Sequence, residues 1–197
     1  MRKVSVAVCL ALLGALLMGC REDTEGKKEK EDAAVPPSVA QAASWEAKFL
    51  GELPALGHRN WVVVADAAFP LQISPGMEVV VSNEDHFAVL EKVLKALDAS
   101  KHVRPKIYLD KELEYVPEEL APGMDACRKR LKGMLAGRDA KPVLHEELIA
   151  RMDQVARMFR IVMIKTNLTL PYTTVFMELD CGYWGPDGEA KMREKMK

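Results

Sequence analysis

Trp61-Val62-Val63-Val64-Ala65-Asp66 is five apolar residues in unbroken succession, closed by a carboxylate. A short run without polar alternation is the pattern of a strand covered on both faces, as in a parallel sheet between helices. The carboxylate matters as much as the run. An aspartate that ends a buried strand must find hydrogen-bond partners or water. In open α/β sheets, ligands gather beyond the carboxyl ends of the strands. Asp66 is therefore either a cap for the turn through Ala67, Ala68, Phe69 and Pro70 or a member of a site.

The rest of the chain repeats the theme of strand and helix. Upstream, Ser44 can cap a helix on which Trp45, Phe49 and Leu53 share a face. Leu56-Gly57-His58-Arg59-Asn60 then turns into the buried strand. Downstream, residues 78–82 form a second apolar run. Asn83 is expected to cap a helix to about Leu97, with Phe87, Leu90, Val93, Leu94 and Leu97 inward. Residues 106–109 are a third strand, and a helix from about Met124 should end at Gly137. A helix from His145 to about Ala156 precedes strands at 159–165 and 173–179. Residues 185–197 are polar and expected as a loose tail. The fold class expected from this order is α/β, a three-layer α/β/α arrangement with a largely parallel sheet.

Three segments together resemble the ribose pyranase / L-fucose mutarotase (RbsD/FucU) family. The first is Gly57-His58, the apolar strand, Ala65-Asp66-Ala67 and Pro70. The second is His145-Glu146-Glu147 at a helix start, followed by the strand Phe159-Arg160-Ile161-Val162-Met163-Ile164-Lys165. The third is Pro171-Tyr172 before the final strand. The resemblance covers about residues 45–180 and implies an RbsD-like fold, a monosaccharide ligand and no cofactor; with no CxxC or HxxxH pair in the sequence, no metal is expected. It implies catalytic roles for His58, Asp66, His145 and Tyr172. Two positions depart from the ribose branch: Ile149 stands where a Lys is usual, and Thr174 where an Asn is usual. Both are expected to line the sugar site in altered form.

The chemistry suits the retained residues. Opening a sugar ring removes a proton from the anomeric hydroxyl and delivers one to the ring oxygen, which two groups of near-neutral pKa can do. Eight residues separate His58 from Asp66, with ends about 15–20 Å apart if five of them are strand. A shared pocket would then take His58 from a neighbouring subunit. That agrees with the ring-shaped homo-oligomers, pentamers or decamers, that the resemblance implies. Two classes stay open: a sugar mutarotase or pyranase, favoured by the retained His/Asp/His/Tyr set, and a non-catalytic sugar-binding lipoprotein, favoured by Ile149 and Thr174.

The amino terminus bears on location. Arg2 and Lys3 precede an apolar stretch that stops at Leu17-Met18-Gly19-Cys20. The stretch is short for a membrane span and suits an export signal. Its end resembles a bacterial lipobox, so residues 1–19 are expected as a lipoprotein signal peptide and Cys20 as the lipidated residue. Arg21 in the next position leans, by resemblance to Gram-negative sorting, towards the outer membrane of the cell envelope. Residues 20–43, charged and then Ala/Pro-rich, are expected as a disordered tether with a reach on the order of 25 Å. The domain would occupy 44–185, with 186–197 as the tail. Lys+Arg (28) and Asp+Glu (29) nearly cancel, so composition gives no support to nucleic-acid binding. Of four cysteines, Cys127 and Cys181 lie in the domain, as a disulfide or as two free thiols.

Overall fold

A computed structural model describes residues 44–197. Residues 1–43, with the expected signal peptide, Cys20 and tether, lie outside the described residues. Within them the chain runs α1 (Trp45–Glu52), β1 (Trp61–Ala65), β2 (Met77–Val81), α2 (His86–Ala99), β3 (Val103–Asp110), α3 (Met124–Met134), β4 (Ala140–Val143), α4 (His145–Val155), β5 (Ile161–Lys165), β6 (Val175–Cys181) and α5 (Pro186–Lys195), with short 3-10 turns at Leu53–Ala55 and Lys111–Tyr115.

The six strands form one sheet in the order β2-β5-β1-β6-β3-β4. β1, β2 and β5 pair in parallel, and so do β3 and β4. β6 runs antiparallel to both of its neighbours. Five strands thus share one direction, which is the expected largely parallel sheet. The central position of β1 explains its unbroken apolar run, because alternate side chains serve opposite cores. Val62 and Val64 join Phe49, Leu90, Val93, Met124 and Leu131 under α1, α2 and α3. Trp61, Val63 and Ala65 join Phe69, Phe176, Leu148 and Met152 under α4. These are the three layers.

The edges are blunted against further pairing. β2 carries Glu78, bonded to Arg160, and β4 contains Pro142, tolerated in an edge strand.

Several local expectations need correcting. Asp85, rather than Asn83, caps α2: its carboxylate accepts the Ala88 N–H at 3.0 Å, while Asn83 adopts a left-handed φ of 55° two residues earlier. Strand β3 is twice the expected length, and β4 was not anticipated. The polar stretch expected as a loose tail is the helix α5. It buries no residue but has Pro186 at its start, Asp187 and Glu189 in its first turn and Arg193 and Lys195 in its last. Cys127 and Cys181 are free thiols. No helix among the described residues is long and apolar enough to cross a membrane.

Candidate functional site

The register of the sheet assembles one cluster at the carboxyl end of the parallel strands. Val175, the first residue of β6, pairs with Val64 on one side and Leu109 on the other. Thr174 therefore falls between the ends of β1 and β3, that is, between Asp66 and Asp110. β4 pairs Val143 with Asp110, so the next residues, Leu144 and His145, start α4 beside Asp110. Three segments far apart in sequence meet there.

Asp66 is nearly buried, at 8% exposure. One oxygen accepts the Ala68 N–H at 2.9 Å and the other accepts the Thr174 hydroxyl at 3.0 Å. It is thus a turn cap and a site member at once. Thr174 is fully buried, and its hydroxyl is committed to Asp66. In this position it orients the Asp66 carboxylate. Ile149, one turn after His145 on α4, is partly buried against the core under that helix.

His145 is held at three points. Its backbone N–H donates to both carboxylate oxygens of Glu112, at 3.2 and 3.1 Å, which supplies the anchor that Leu144 cannot give as N-cap. Its Nδ1 lies 3.0 Å from Asp110 Oδ1. Its ring meets Tyr172 and Phe69 edge-on, with centroids 5.4 and 6.1 Å away. The imidazole keeps 26% exposure while Asp110 has none. Burial pushes the Asp110 carboxyl up to about 6. The His145 bond pulls it down, and Glu112 and Asp66 add to the rise. Asp110 Oδ2 is buried without a partner among the described residues.

Tyr172 takes a φ of 58°, a conformation that costs an L-residue about 1–2 kcal/mol. Retention of a bulky side chain there, half-exposed beside His145, makes the Pro171-Tyr172 turn a strained element of the site. Beside it a groove of about 560 Å³ opens, lined by Tyr115, Leu120, Leu144 and Pro171.

Beneath the cluster lies His86, which is fully buried at the start of α2. Its Nδ1 is 3.1 Å from the Thr166 hydroxyl, which also reaches the Ala65 carbonyl at 2.9 Å. Burial pushes its pKa down to about 4, against the opposing pull of Asp66, Asp85 and the Thr173 backbone. His86 Nε2 has no partner in bonding geometry among the described residues.

His58 is elsewhere. It precedes β1, so five strand residues, about 16 Å, separate it from Asp66. It lines a groove of about 820 Å³ at the opposite end of the sheet, with Arg59, His102, Asp180, Trp184 and Arg193. Within one chain the structure brings together Asp66, His145 and Tyr172, and leaves His58 out. Asp110, Glu112 and His86 were missed from sequence. Asp110 carried the same signal as Asp66, a carboxylate directly after Ile107-Tyr108-Leu109.

No family model matches the chain, and no curated protein sequence does. Among solved structures the chain is similar to Bacillus subtilis RbsD complexed with D-ribose, at 18% identity over 71% of this chain and 93% of that one, TM-score 0.47. It is also similar to FucU from Bifidobacterium longum, at 18% identity over 68% and 93%, TM-score 0.45. A third is the fucose mutarotase in complex with L-fucose from Streptococcus pneumoniae, at 15% identity over 68% and 91%, TM-score 0.49. At such identities the chemistry of the site has to come from this chain's own residues.

Proposed function

We propose that this chain is a mutarotase or pyranase that interconverts the cyclic forms of a free monosaccharide of the ribose or fucose type. The observation that supports it is the convergence of Asp66, His145 and Tyr172, drawn from the three segments that carry the family resemblance, at the carboxyl end of the parallel strands. His145 Nε2 takes the proton of the anomeric hydroxyl. The ring C–O bond breaks as the carbonyl forms, and the ring oxygen receives a proton from a donor on the other side of the sugar. Closing on the other face of the carbonyl reverses each transfer, so no proton or electron is left over. Asp66 accepts from a sugar hydroxyl, and the Tyr172 ring stacks on the sugar or donates from its phenol. His58 belongs to this scheme as the second proton-transfer group, supplied by another copy of the chain across an interface. The chain is thus a homo-oligomer in this reading, with the lipid on Cys20 holding it to the cell envelope.

The test is NMR saturation transfer between sugar ring forms, with wild type and His145→Ala, over a panel of pentoses and 6-deoxyhexoses. Wild type should accelerate exchange of at least one sugar, and His145→Ala should lower that rate by about 10²–10⁴-fold. The second reading, a sugar binder without catalysis, is favoured by the distance of His58 from the cluster. It would show as saturable binding with exchange at the buffer rate.

A further inference from the structure

We propose that Asp110 is a positioning residue that fixes the tautomer of His145, so that the two side chains act as one proton-carrying unit whose working atom is Nε2. The proposal concerns the site named above, but its geometry stands whether or not the ligand is a sugar.

Asp110 and Glu112 are two residues apart on one segment, and both hold His145. Glu112 takes its backbone N–H and Asp110 takes its ring. With Tyr172 and Phe69 against the ring edges, only one ring orientation is available. A carboxylate oxygen 3.0 Å from Nδ1 must receive a hydrogen. A neutral imidazole has only one N–H. That hydrogen is therefore on Nδ1, and Nε2 carries the lone pair. No side chain among the described residues bonds Nε2, it is not one of the buried unpartnered atoms, and the side chain keeps 26% exposure.

The fate of an added proton follows from the same contacts. On Oδ2 it would be a buried donor without a partner, which is costly. Between Oδ1 and Nδ1 there is room for one hydrogen only. A second proton on the pair therefore appears on Nε2, whether the carboxyl or the imidazole is counted as the acid. The groups facing Asp110 are His145 from α4, Glu112 from its own segment and Asp66 from the end of β1. The two carboxylates favour the protonated pair and the burial of Asp110 does the same. The unit is a base at Nε2 above the transition and an acid at the same atom below it.

The test uses the full chain with ¹⁵N-labelled histidine, the His145 signals being assigned by their loss in His145→Gln. In mildly alkaline buffer, wild type should carry its His145 proton on Nδ1. On acidification the added proton should appear on Nε2 rather than on the carboxyl. In Asp110→Asn the amide can donate to Nδ1, so the population should move to the Nε2–H tautomer by about tenfold or more. Where exchange is measurable, Asp110→Asn should lower it by about 10²–10⁴-fold with sugar affinity little changed. Wild type with its proton on Nε2, or Asp110→Asn with an unchanged tautomer, would overturn the proposal. Should Asp110→Asn fail to fold, the wild-type tautomer and its titration decide alone. A wild type without sugar exchange would sink the mutarotase reading and leave the tautomer result standing.

Discussion

The two ends of this sheet use charge in opposite ways. At the carboxyl end, Asp66, Asp110, His86, Thr166 and Thr174 are all buried. The His145 side chain is partly exposed. Two buried polar atoms there, Asp110 Oδ2 and His86 Nε2, lack partners among the described residues. At the amino end, Asp180 takes Arg104 and Lys106 at 3.1 and 3.3 Å on half-exposed side chains, and Arg193 pairs with Glu189 on the surface of α5. Exposed pairs of this kind contribute about 0–1 kcal/mol each. The carboxyl end tolerates incomplete partnering, shifted proton affinities and a strained Tyr172. Folding alone gives no reason to keep such features, and binding or proton transfer does. The amino end holds His58, the one family-like residue in ordinary surroundings, and in the proposed scheme it acts only across an interface.

The largest expected effect tests that division of labour. His58→Ala and His145→Ala should each slow sugar exchange by about 10²–10⁴-fold. If a site takes its carboxyl end from one chain and its amino end from another, refolding the two variants together should restore about a quarter of the wild-type sites, as random pairing in a symmetric oligomer dictates. Light scattering on the same samples reports the assembly. A mixture no more active than its parents would show that His58 has no part in another chain's site, and the two ends would then be functionally unrelated.

A smaller effect is expected in stability. Thr174→Val keeps the shape at the start of β6 but removes the hydroxyl that Asp66 Oδ2 accepts at 3.0 Å. Leaving a buried carboxylate oxygen short of its donor costs about 1–3 kcal/mol. Lys106→Met at the other end removes the contact to Asp180 and should cost no more than about 1 kcal/mol. Urea midpoints at constant m compare the two. Equal losses would mean that burial does not distinguish the ends.

Much of this contrast could be read from sequence, for reasons particular residues make plain. β1 is apolar throughout, and β5 is apolar up to its last residue, Lys165, because both faces are covered, and Asp66 stands out against such a run. Ile107-Tyr108-Leu109-Asp110 is the same pattern, but Arg104, Pro105 and Lys106 precede it, and their outward faces disguise the strand. Without β3 at full length, Asp110 did not register as a strand-end carboxylate. β4, Ala140-Lys141-Pro142-Val143, is too short and too polar to show a period. α5 has no apolar face, so only its capping and charge order mark it, and these are weak signals against a polar background. His86 stands beside Glu84 and Asp85 at a helix start, where the sequence gives no sign of burial. Its burial depends on Thr166, eighty residues away, and no local pattern carries that. The site is thus legible where a polar residue interrupts a local apolar pattern, and illegible where long-range register brings polar residues together.

The smallest expected effect is a near-absence, and it bears most directly on the carboxyl end. His86 has a folded pKa of about 4 against 6.5 unfolded. The unfolded chain therefore binds more proton between those values, and stability falls as pH drops through that window. Asp110 has a folded pKa of about 6 against 3.8 unfolded. Provided the carboxyl takes up that proton in addition to the one on Nε2, the native chain binds more proton between those values, and stability falls as pH rises through that window. The windows overlap and the signs oppose. Each shift alone corresponds to about 3 kcal/mol, yet together they should leave the wild type nearly level between about pH 4 and 6 once the surface carboxylates common to all variants are subtracted. Removing either partner should expose the other. Asp110→Asn, measured against wild type, should lose stability on acidification from 6.5 towards 4 as His86 is charged. His86→Leu should gain relative stability over the same change, because only the Asp110 linkage remains. Denaturant midpoints at a series of pH values give both slopes. If the two difference curves slope the same way, the opposed burial of a base and an acid under one site is not what sets its proton balance. If they slope apart, the site holds its stability level through the pH range in which its own proton-carrying pair changes state.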